Sequence, residues 1–379
     1  MIEPESLDVL RKGLQERIRE DSRLLDELRQ EVRPLRDKVV RIQPRSTTAI
    51  SLVGTDGGNN RIEFDPFMVQ LIRVVDSSRN EYWLEAVTPT SDIGRMSERH
   101  VGPDGKGLTP LGRMMEHVGA RHLWDLSPMI PQPPREAKPS WVQVYRELTE
   151  WAIVFSLVRE RHFGTDTVIM LDGFLRSKVF AGELFVKFRR GLLEGIEEQM
   201  KKNRRRLYLV GVAKHSKVLQ RYRLAMALEG VLRQEYPCYV EVPRDLEAKA
   251  YVWSEYARGD EREAEGGEAN KFVAGKMFFV KFGRRPHDPI WPVDLLIQQA
   301  GEAQRIIGYM LADAEEGFPV PFYPRCLQQA HENAALVDFD MDILQTQIID
   351  AVRSALGTHC DVLDELQLLD ADPSGRRYR

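Results

Sequence analysis

Cysteine is nearly missing from this chain: its 379 residues include three, Cys238, Cys326 and Cys360, and none belongs to a CxxC pair. That spacing excludes a zinc ribbon and a disulfide framework, and the lone His359-Cys360 pair is read as structural. Apolar runs of membrane-spanning length are also missing. The opening Met1-Ile2-Glu3-Pro4-Glu5 has neither the basic nor the apolar region of a signal peptide. The expectation is a cytoplasmic protein with no membrane association. No GxxxxGK[ST] pattern occurs, and Gly275-Lys276 has neither the earlier glycine nor the following hydroxyl residue, so the chain has no phosphate loop of its own. A GxSxG elbow, an HExxH pair and a dinucleotide fingerprint are absent as well. These absences set aside serine and cysteine hydrolases and nucleotide-driven motors.

Net charge is small, −4, and by itself argues against a polyanion partner. Its distribution argues the other way. Arg176 to Arg223 holds fourteen Lys and Arg against four Glu, a balance of +10, so the remainder of the chain carries about −14. Inside that segment Lys201, Lys202, Arg204, Arg205 and Arg206 form a run, with Lys178 and Lys217 nearer its ends. A basic block in an acidic protein suggests a local surface for a polyanion. The run taken alone is equally a solvated helix end whose lysines complement the dipole.

The length allows one elaborated domain or two. Residues 5–38 are charged and amphipathic, with Leu7, Leu10, Leu14, Ile18, Leu25, Leu28, Val32 and Leu35 tracing one narrow apolar stripe. Asp21 interrupts that seam and Pro34 ends or kinks the helix. The stripe suits packing on the body or on a partner subunit. Thr48–Thr55, Phe67–Val75 and Tyr82–Val87 are expected strands, with a turn at Asp76–Asn80. Five prolines between Pro128 and Pro139 mark an extended linker. Beyond it helices are expected at Trp141–His162, Gly182–Met200 and Lys217–Gln234, alternating with strands Thr167–Leu171 and Leu207–Ala213. Region 236–282 mixes short β runs with a mobile acidic loop, Gly259–Asn270, and ends in strand Met277–Phe282. Helices are then expected at Leu295–Glu315 and Asn333–Leu356. Strands alternating with helices predict an α/β sheet covered by helices.

Two patterns carry the chemistry. Ile50-Ser51-Leu52-Val53-Gly54-Thr55-Asp56-Gly57-Gly58 and Val168-Ile169-Met170-Leu171-Asp172-Gly173 are each an apolar run closed by Asp-Gly. Such a run is a buried strand with a carboxylate at its C-terminal end, and glycine leaves the backbone open to a ligand. Either Asp-Gly alone is also an ordinary turn. Two adjacent strands ending this way would bring together carboxylates able to hold a hard divalent cation. Glu150, on the helix leading to the Asp172 strand, can supply a third oxygen, and Glu147 or Glu160 would serve nearly as well. Lys214 in Gly211-Val212-Ala213-Lys214-His215-Ser216-Lys217 can neutralise a phosphate at a strand end, though an exposed lysine is common there. Tyr323 and His331 are eight residues apart after a proline-rich approach, so a helix starting near Pro324 would face both towards one region. Histidine serves there as metal ligand or proton carrier.

In this order, the Leu52–Gly58 and Leu171-Asp172-Gly173-Phe174-Leu175 segments, the Gly211–Ser216 strand end and the Tyr323…Ala330-His331 element resemble the NurA family of DNA-end-processing nucleases, over roughly residues 45–340. The resemblance implies an α/β fold with an RNase H-like mixed sheet flanked by helices. It would comprise an N-terminal helix (1–40), a nuclease domain (45–340) with a β-rich insertion at about 236–282, and a C-terminal helix and tail (341–379). It further implies Mn²⁺ (or Mg²⁺) held by Asp56, Asp172, Glu150 and His331, with Tyr323 and Lys214 completing the catalytic set. Family members degrade DNA from 5′ ends, cut single strands, and act as homodimers beside a hexameric HerA-type ATPase. The competing expectation is a non-catalytic DNA clamp serving a motor protein.

Overall fold

A computed structural model describes residues 4–45, 50–64, 67–133, 140–251, 271–335 and 338–356. The Gly259–Asn270 loop, the His359-Cys360 pair and most of the Pro128–Pro139 segment's second half lie outside the described residues, as do the side chains of β-strand residues 50–64. Nine described strands form one sheet: β1 (Val40–Arg41), β2 (Ile50–Phe64), β3 (Phe67–Asp76), β4 (Glu81–Val87), β5 (Asp166–Asp172), β6 (Leu207–Val212), β7 (Cys238–Glu241), β8 (Gly275–Lys281) and β9 (Ile290–Leu296). Their order is β1-β7-β8-β9-β6-β5-β2-β3-β4.

The helices, in chain order, are α1 (Pro4–Glu20), α2 (Ser22–Val32), α3 (Ile93–His100), α4 (Pro110–Val118), α5 (Leu123–Leu126), α6 (Trp141–Glu160), α7 (Leu184–Glu198), α8 (Lys217–Leu228), α9 (Arg244–Ala250), α10 (Ala303–Glu315), α11 (Arg325–Ala334) and α12 (Asp338–Leu356). The break between α1 and α2 falls at Asp21, and Pro34 opens a 3-10 turn over Arg33–Lys38. A carboxylate cannot continue an apolar seam, and proline lacks the amide that the next turn needs.

The centre of the sheet follows from composition. The middle of β5 (Val168–Leu171) and β6 are apolar because helices cover both faces. Ile169 and Leu171 face the cluster built by α4, α6 and α7, while Val168 and Met170 face α10 and α11. β2 runs parallel to β5, and β5 parallel to β6. β3 and β4 return antiparallel as a meander on the other side of β2. Strands β4-β3-β2-β5-β6 therefore form an RNase H-like core. β9, β8, β7 and β1 widen it by antiparallel pairing, so region 236–282 contributes two strands to the main sheet.

Three boundaries differ from expectation. β2 does not stop at Asp56: its parallel pairing with β5 ends at Thr55, yet it runs on through Gly57 and Gly58 to Phe64, paired with β3. Apolar content declines there because only one neighbour strand remains. The helix expected at Lys217–Gln234 ends at Leu228, where Gly230 and Leu232 adopt positive φ. The helix expected from Leu295 begins at Ala303, and Ile290–Leu296 is strand β9. Pro289 and Pro292 hide that strand in the sequence. It is tolerated because β9 shares only Val293–Leu295 with β6, so Pro292 stands beyond that stretch.

One buried polar chain ties α3 and α6 to β4. Tyr145 donates to Glu85 at 2.5 Å, His100 Nε2 is 2.9 Å from Tyr145 Oη, and His100 Nδ1 is 2.8 Å from Thr109 Oγ1. With the tyrosine proton on Glu85, Nε2 donates to the Tyr145 oxygen, and in a neutral ring Nδ1 accepts from the Thr109 hydroxyl. Burial accordingly pushes the His100 pKa down to about 4. The unfolded chain binds this proton below pH 6.5 and the folded one does not, so stability is present above 6.5 and is lost as pH falls towards 4. The loss amounts to about 3 kcal/mol. In urea titrations, the stability gap between wild type and His100→Gln should shrink by about that much from pH 7 to pH 4; a constant gap would show that the ring protonates in place.

Candidate functional site

The C-terminal ends of the parallel strands gather the chemistry. Asp172 closes β5 with its side chain 13% exposed. Lys214, just beyond β6, places its ammonium 2.5 Å from Asp172 Oδ2. Tyr323 donates its hydroxyl to Asp172 Oδ1 at 2.9 Å and stands 3.3 Å from the Val212 carbonyl. Its ring is fully buried, packed edge-on against Trp291 at 4.8 Å between centroids, with the Lys214 ammonium 5.6 Å from its own. Both oxygens of Asp172 are thus held, and the carboxylate has a defined orientation.

Because Thr55 pairs with Leu171, the backbone at Asp56 is level with Asp172 on the neighbouring strand. Asp56 belongs to the same strand end as Asp172, although β2 continues past it; its side chain lies outside the description. Glycine is needed close by. A Cβ on Gly211 would come within 2.4 Å of the Gly173 carbonyl oxygen and 2.9 Å of the Leu175 amide. That closeness lets the chain leaving Asp172 fold back over β6.

A cleft of about 460 Å³ opens beside Asp172, lined on the α6 side by Arg146, Glu147, Glu150 and Trp151 and on the other by Lys178 and Val179. Glu150, the expected third oxygen, is there and lies 3.3 Å from Arg146 Nε. Glu147 is there too, accepting from Ser177 Oγ at 2.6 Å, and burial pushes its pKa up. Glu160 is elsewhere, bonded to Arg113 and Ser156. The choice between Glu147, Glu150 and Glu160 narrows to the first two. His331 is on the exposed side of α11, a helix packed on β2 and β3.

The basic run is not brought to this site. Lys201 and Lys202 lie in a π-helical turn after α7 and pair with Glu197 and Glu198 at 3.2 Å each. Arg204 caps that turn with left-handed backbone, and Arg205 donates its amide to Gln199. Arg206 pairs with Glu302 at 3.5 Å just before β6 begins. The run therefore lies at the opposite end of β6 from Lys214, a strand length of about 20 Å. Arg176 and Arg189, counted in the +10 segment, are interior. Lys217 is at the exposed N-terminus of α8, beside Lys214.

Sequence reasoning missed what holds the loop after Asp172. Arg176 has a fully buried side chain and donates from Nε and Nη2 to both oxygens of Asp294 on β9, at 2.8 and 2.9 Å, and from Nη1 to Glu247 on α9. Leu175 gives its amide to the same Asp294, and Arg244 donates to both Glu247 oxygens, at 2.9 and 3.1 Å. Burial pushes the Glu247 carboxyl up, against the pull of Arg176 and Arg244. An apolar strand interrupted by one aspartate, Val293-Asp294-Leu295-Leu296, was the available signal.

Among the described residues no three His, Cys, Asp or Glu side chains stand together as a metal-holding group. The oxygen donors nevertheless fit a hard divalent cation: Asp172 already has a cationic partner in Lys214, Glu150 lines the same cleft, and Asp56 is level with Asp172.

Fold and site together define an RNase H-like protein with an acidic, lysine-backed centre at the end of its parallel strands. No protein-family model and no curated protein matches the sequence. Solved structures of similar shape are NurA nucleases. The enzyme from Sulfolobus solfataricus shares 12% identity, covering 94% of this chain and 98% of its own, with a TM-score of 0.42. NurA with manganese shares 11% (90% and 98%, TM-score 0.39), and NurA bound to dAMP and manganese 10% (89% and 94%, TM-score 0.39). The chain is similar to these over most of its length. At these scores the likeness says nothing of activity, which rests on the residues.

Gly211→Ala should lower the thermal unfolding midpoint, because the clashing atoms are backbone and cannot rotate away; a cost on the order of 1–3 kcal/mol is expected. Unchanged melting would show that the loop after Asp172 has room to move.

Proposed function

We propose that the chain is a divalent-metal-dependent DNA nuclease. It would degrade DNA from 5′ ends and cut single strands, working as a homodimer with a hexameric HerA-type translocase. The observation that carries the reading is the Asp172 carboxylate, held by both Lys214 and Tyr323 at a strand end level with Asp56 and open to a cleft containing Glu147 and Glu150. A purely structural aspartate has no need of a cleft or of a lysine reaching it from solvent.

Asp56, Asp172 and Glu150, with His331, would hold Mn²⁺ or Mg²⁺. When bound, such an ion polarises a phosphodiester and supplies hydroxide near neutral pH. The chain's own residues do the rest. Tyr323 fixes the rotamer of Asp172, so the carboxylate is preorganised. Lys214, which reaches Asp172 from solvent, would neutralise the charge of a substrate phosphate beside it. His331, where it does not ligate the ion, would carry a proton to or from bulk water. Lys178 and Lys217 meet the phosphate backbone near the centre, and Lys201, Lys202, Arg204, Arg205 and Arg206 meet it further away.

The partner and the homodimer come from the resemblance to NurA nucleases, and what the sequence lacks agrees with a motor partner. A nuclease consuming duplex ends must be fed, and this sequence has no phosphate loop. Leu7, Leu10, Leu14 and Ile18 on α1 are 48–67% exposed, an unburied stripe that suits a helix packing on another subunit. Among the described residues no helix is long and apolar enough to cross a membrane.

Asp56→Ala and Asp172→Ala should each abolish Mn²⁺-dependent cleavage of labelled linear and single-stranded DNA without lowering the melting temperature. EDTA should abolish it in wild type. Cleavage that persists in both variants would overturn the assignment of Asp56 and Asp172, and a wild type that binds DNA and stimulates the motor but cleaves nothing would favour the clamp. Separately, serine at Lys201, Lys202, Arg204, Arg205 and Arg206 should flatten the slope of log affinity against log salt by roughly 0.9 per lost duplex phosphate contact. An unchanged slope would place the DNA path elsewhere.

A further inference from the structure

Beside the carboxylates of Glu147 and Glu150, the cleft carries two cations, Arg146 and Lys178, neither of which touches Asp172. Arg146 lines it from α6 and Lys178 lines it from the loop between β5 and α7. Arg146 Nε is shut off from solvent and has no hydrogen-bond acceptor: Glu150 Oε1 is 3.3 Å away but out of line for a bond. A buried donor left in this state costs about 1–3 kcal/mol unless something supplies an acceptor. Lys178 is exposed, yet its neighbours are not. Ser177 and Val179 are buried, and the Ser177 amide donates to Phe272 at 2.9 Å, so the loop displays this lysine from a fixed position. A third cation in the lining, Arg176, is neutralised from outside the cleft by Asp294 and Glu247.

Size decides what can reach them. A round hollow of 460 Å³ is roughly 10 Å across, less than the about 12 Å width of one groove of a duplex. A duplex has no place there, whereas one terminal nucleotide does. Apolar Val144, Trp151 and Val179 beside the two cations suit a base or sugar next to a phosphate. A terminal phosphomonoester carries more charge than an internal diester, and it has free oxygens for a guanidinium and an ammonium together.

Building on the nuclease reading, we propose that Arg146 and Lys178 form a subsite for the terminal phosphate of a DNA single strand, so that the cleft selects chain ends by their phosphate. Asp172 lies at the mouth of the same cleft, which sets the cut close to the captured end. The subsite thereby gives the chemical basis for acting at ends.

The test measures binding of the full chain, in EDTA, to fluorescent single-stranded oligonucleotides bearing a 5′-phosphate, a 3′-phosphate or hydroxyls at both ends. Wild type should prefer one phosphate-bearing end by at least about tenfold, equivalent to 1.4 kcal/mol, and the two phosphate arms identify which end is held. Lys178→Met, at an exposed position where folding is not at stake, should reduce that preference. Arg146→Met with Lys178→Met should abolish it. Equal binding of all three strands by wild type, or a preference that survives Lys178→Met, overturns the subsite. Asp172→Asn should keep the preference while losing cleavage. If wild type cleaves nothing, the nuclease reading fails, and if Asp172→Asn still cleaves, the role of Asp172 fails; in either case the binding comparison continues to judge the subsite.

Discussion

The buried guanidinium of Arg176 is the contact on which the rest of this site depends. The segment after β5 turns sharply away from the sheet, and besides a single antiparallel bridge of Arg176 to Val273 and backbone bonds to Phe272 and Ala274 it has no strand or helix to hold it. Arg176 holds it by a two-pronged bond to Asp294 on β9 and a further bond to Glu247 on α9. Desolvating such charges is expensive, and removing one partner from a buried set typically costs about 3–5 kcal/mol because the others are stranded. The network is closed by Arg244 and by the Leu175 amide, so each carboxylate has multiple donors. Its location matters as much as its strength: it begins four residues after Asp172 and sets the path of Lys178, one wall of the cleft.

This arrangement places the reactive groups on rigid supports. Asp172 ends a strand buried on both faces, Tyr323 is fully interior, and Glu147 and Glu150 stand on a helix whose inner side is packed by Trp151, Phe155 and Leu148. Lys214 reaches the carboxylate from an exposed position. A lysine with a long, solvated stem can exchange one anionic partner for another at little conformational cost. The centre therefore combines a fixed acid with one movable cation, as a site that must accept and release a phosphate requires.

Charge shows how tertiary structure revises a linear count. The segment from Arg176 to Arg223 is +10 by sequence. Folding buries Arg176 and Arg189, pairs Lys201, Lys202 and Arg206 with glutamates, and divides the remaining cations between opposite ends of the sheet. Lys178, Lys214 and Lys217 are left near Asp172. The run that looks densest along the chain is the one furthest from the acidic centre, because α7 carries it to the starting end of β6.

The sequence alone determined the alternation of strands and helices, the interruption at Asp21 and the end of the helix at Pro34, since periodicity, a seam carboxylate and a missing amide act locally. It also pointed to Asp172 with Lys214 and Tyr323, because an apolar run closed by Asp-Gly marks a strand end before any partner is known. Tertiary structure decided what depends on neighbours. Asp56 is mid-strand because β3 continues beside β2 after β5 has stopped, and β9 is a strand despite its prolines because β8 pairs along it. The choice of Glu147 and Glu150 over Glu160 rests on which face of α6 opens to the cleft. Arg176 looked like one more surface cation; only long-range packing, 118 residues along the chain to Asp294, made it interior.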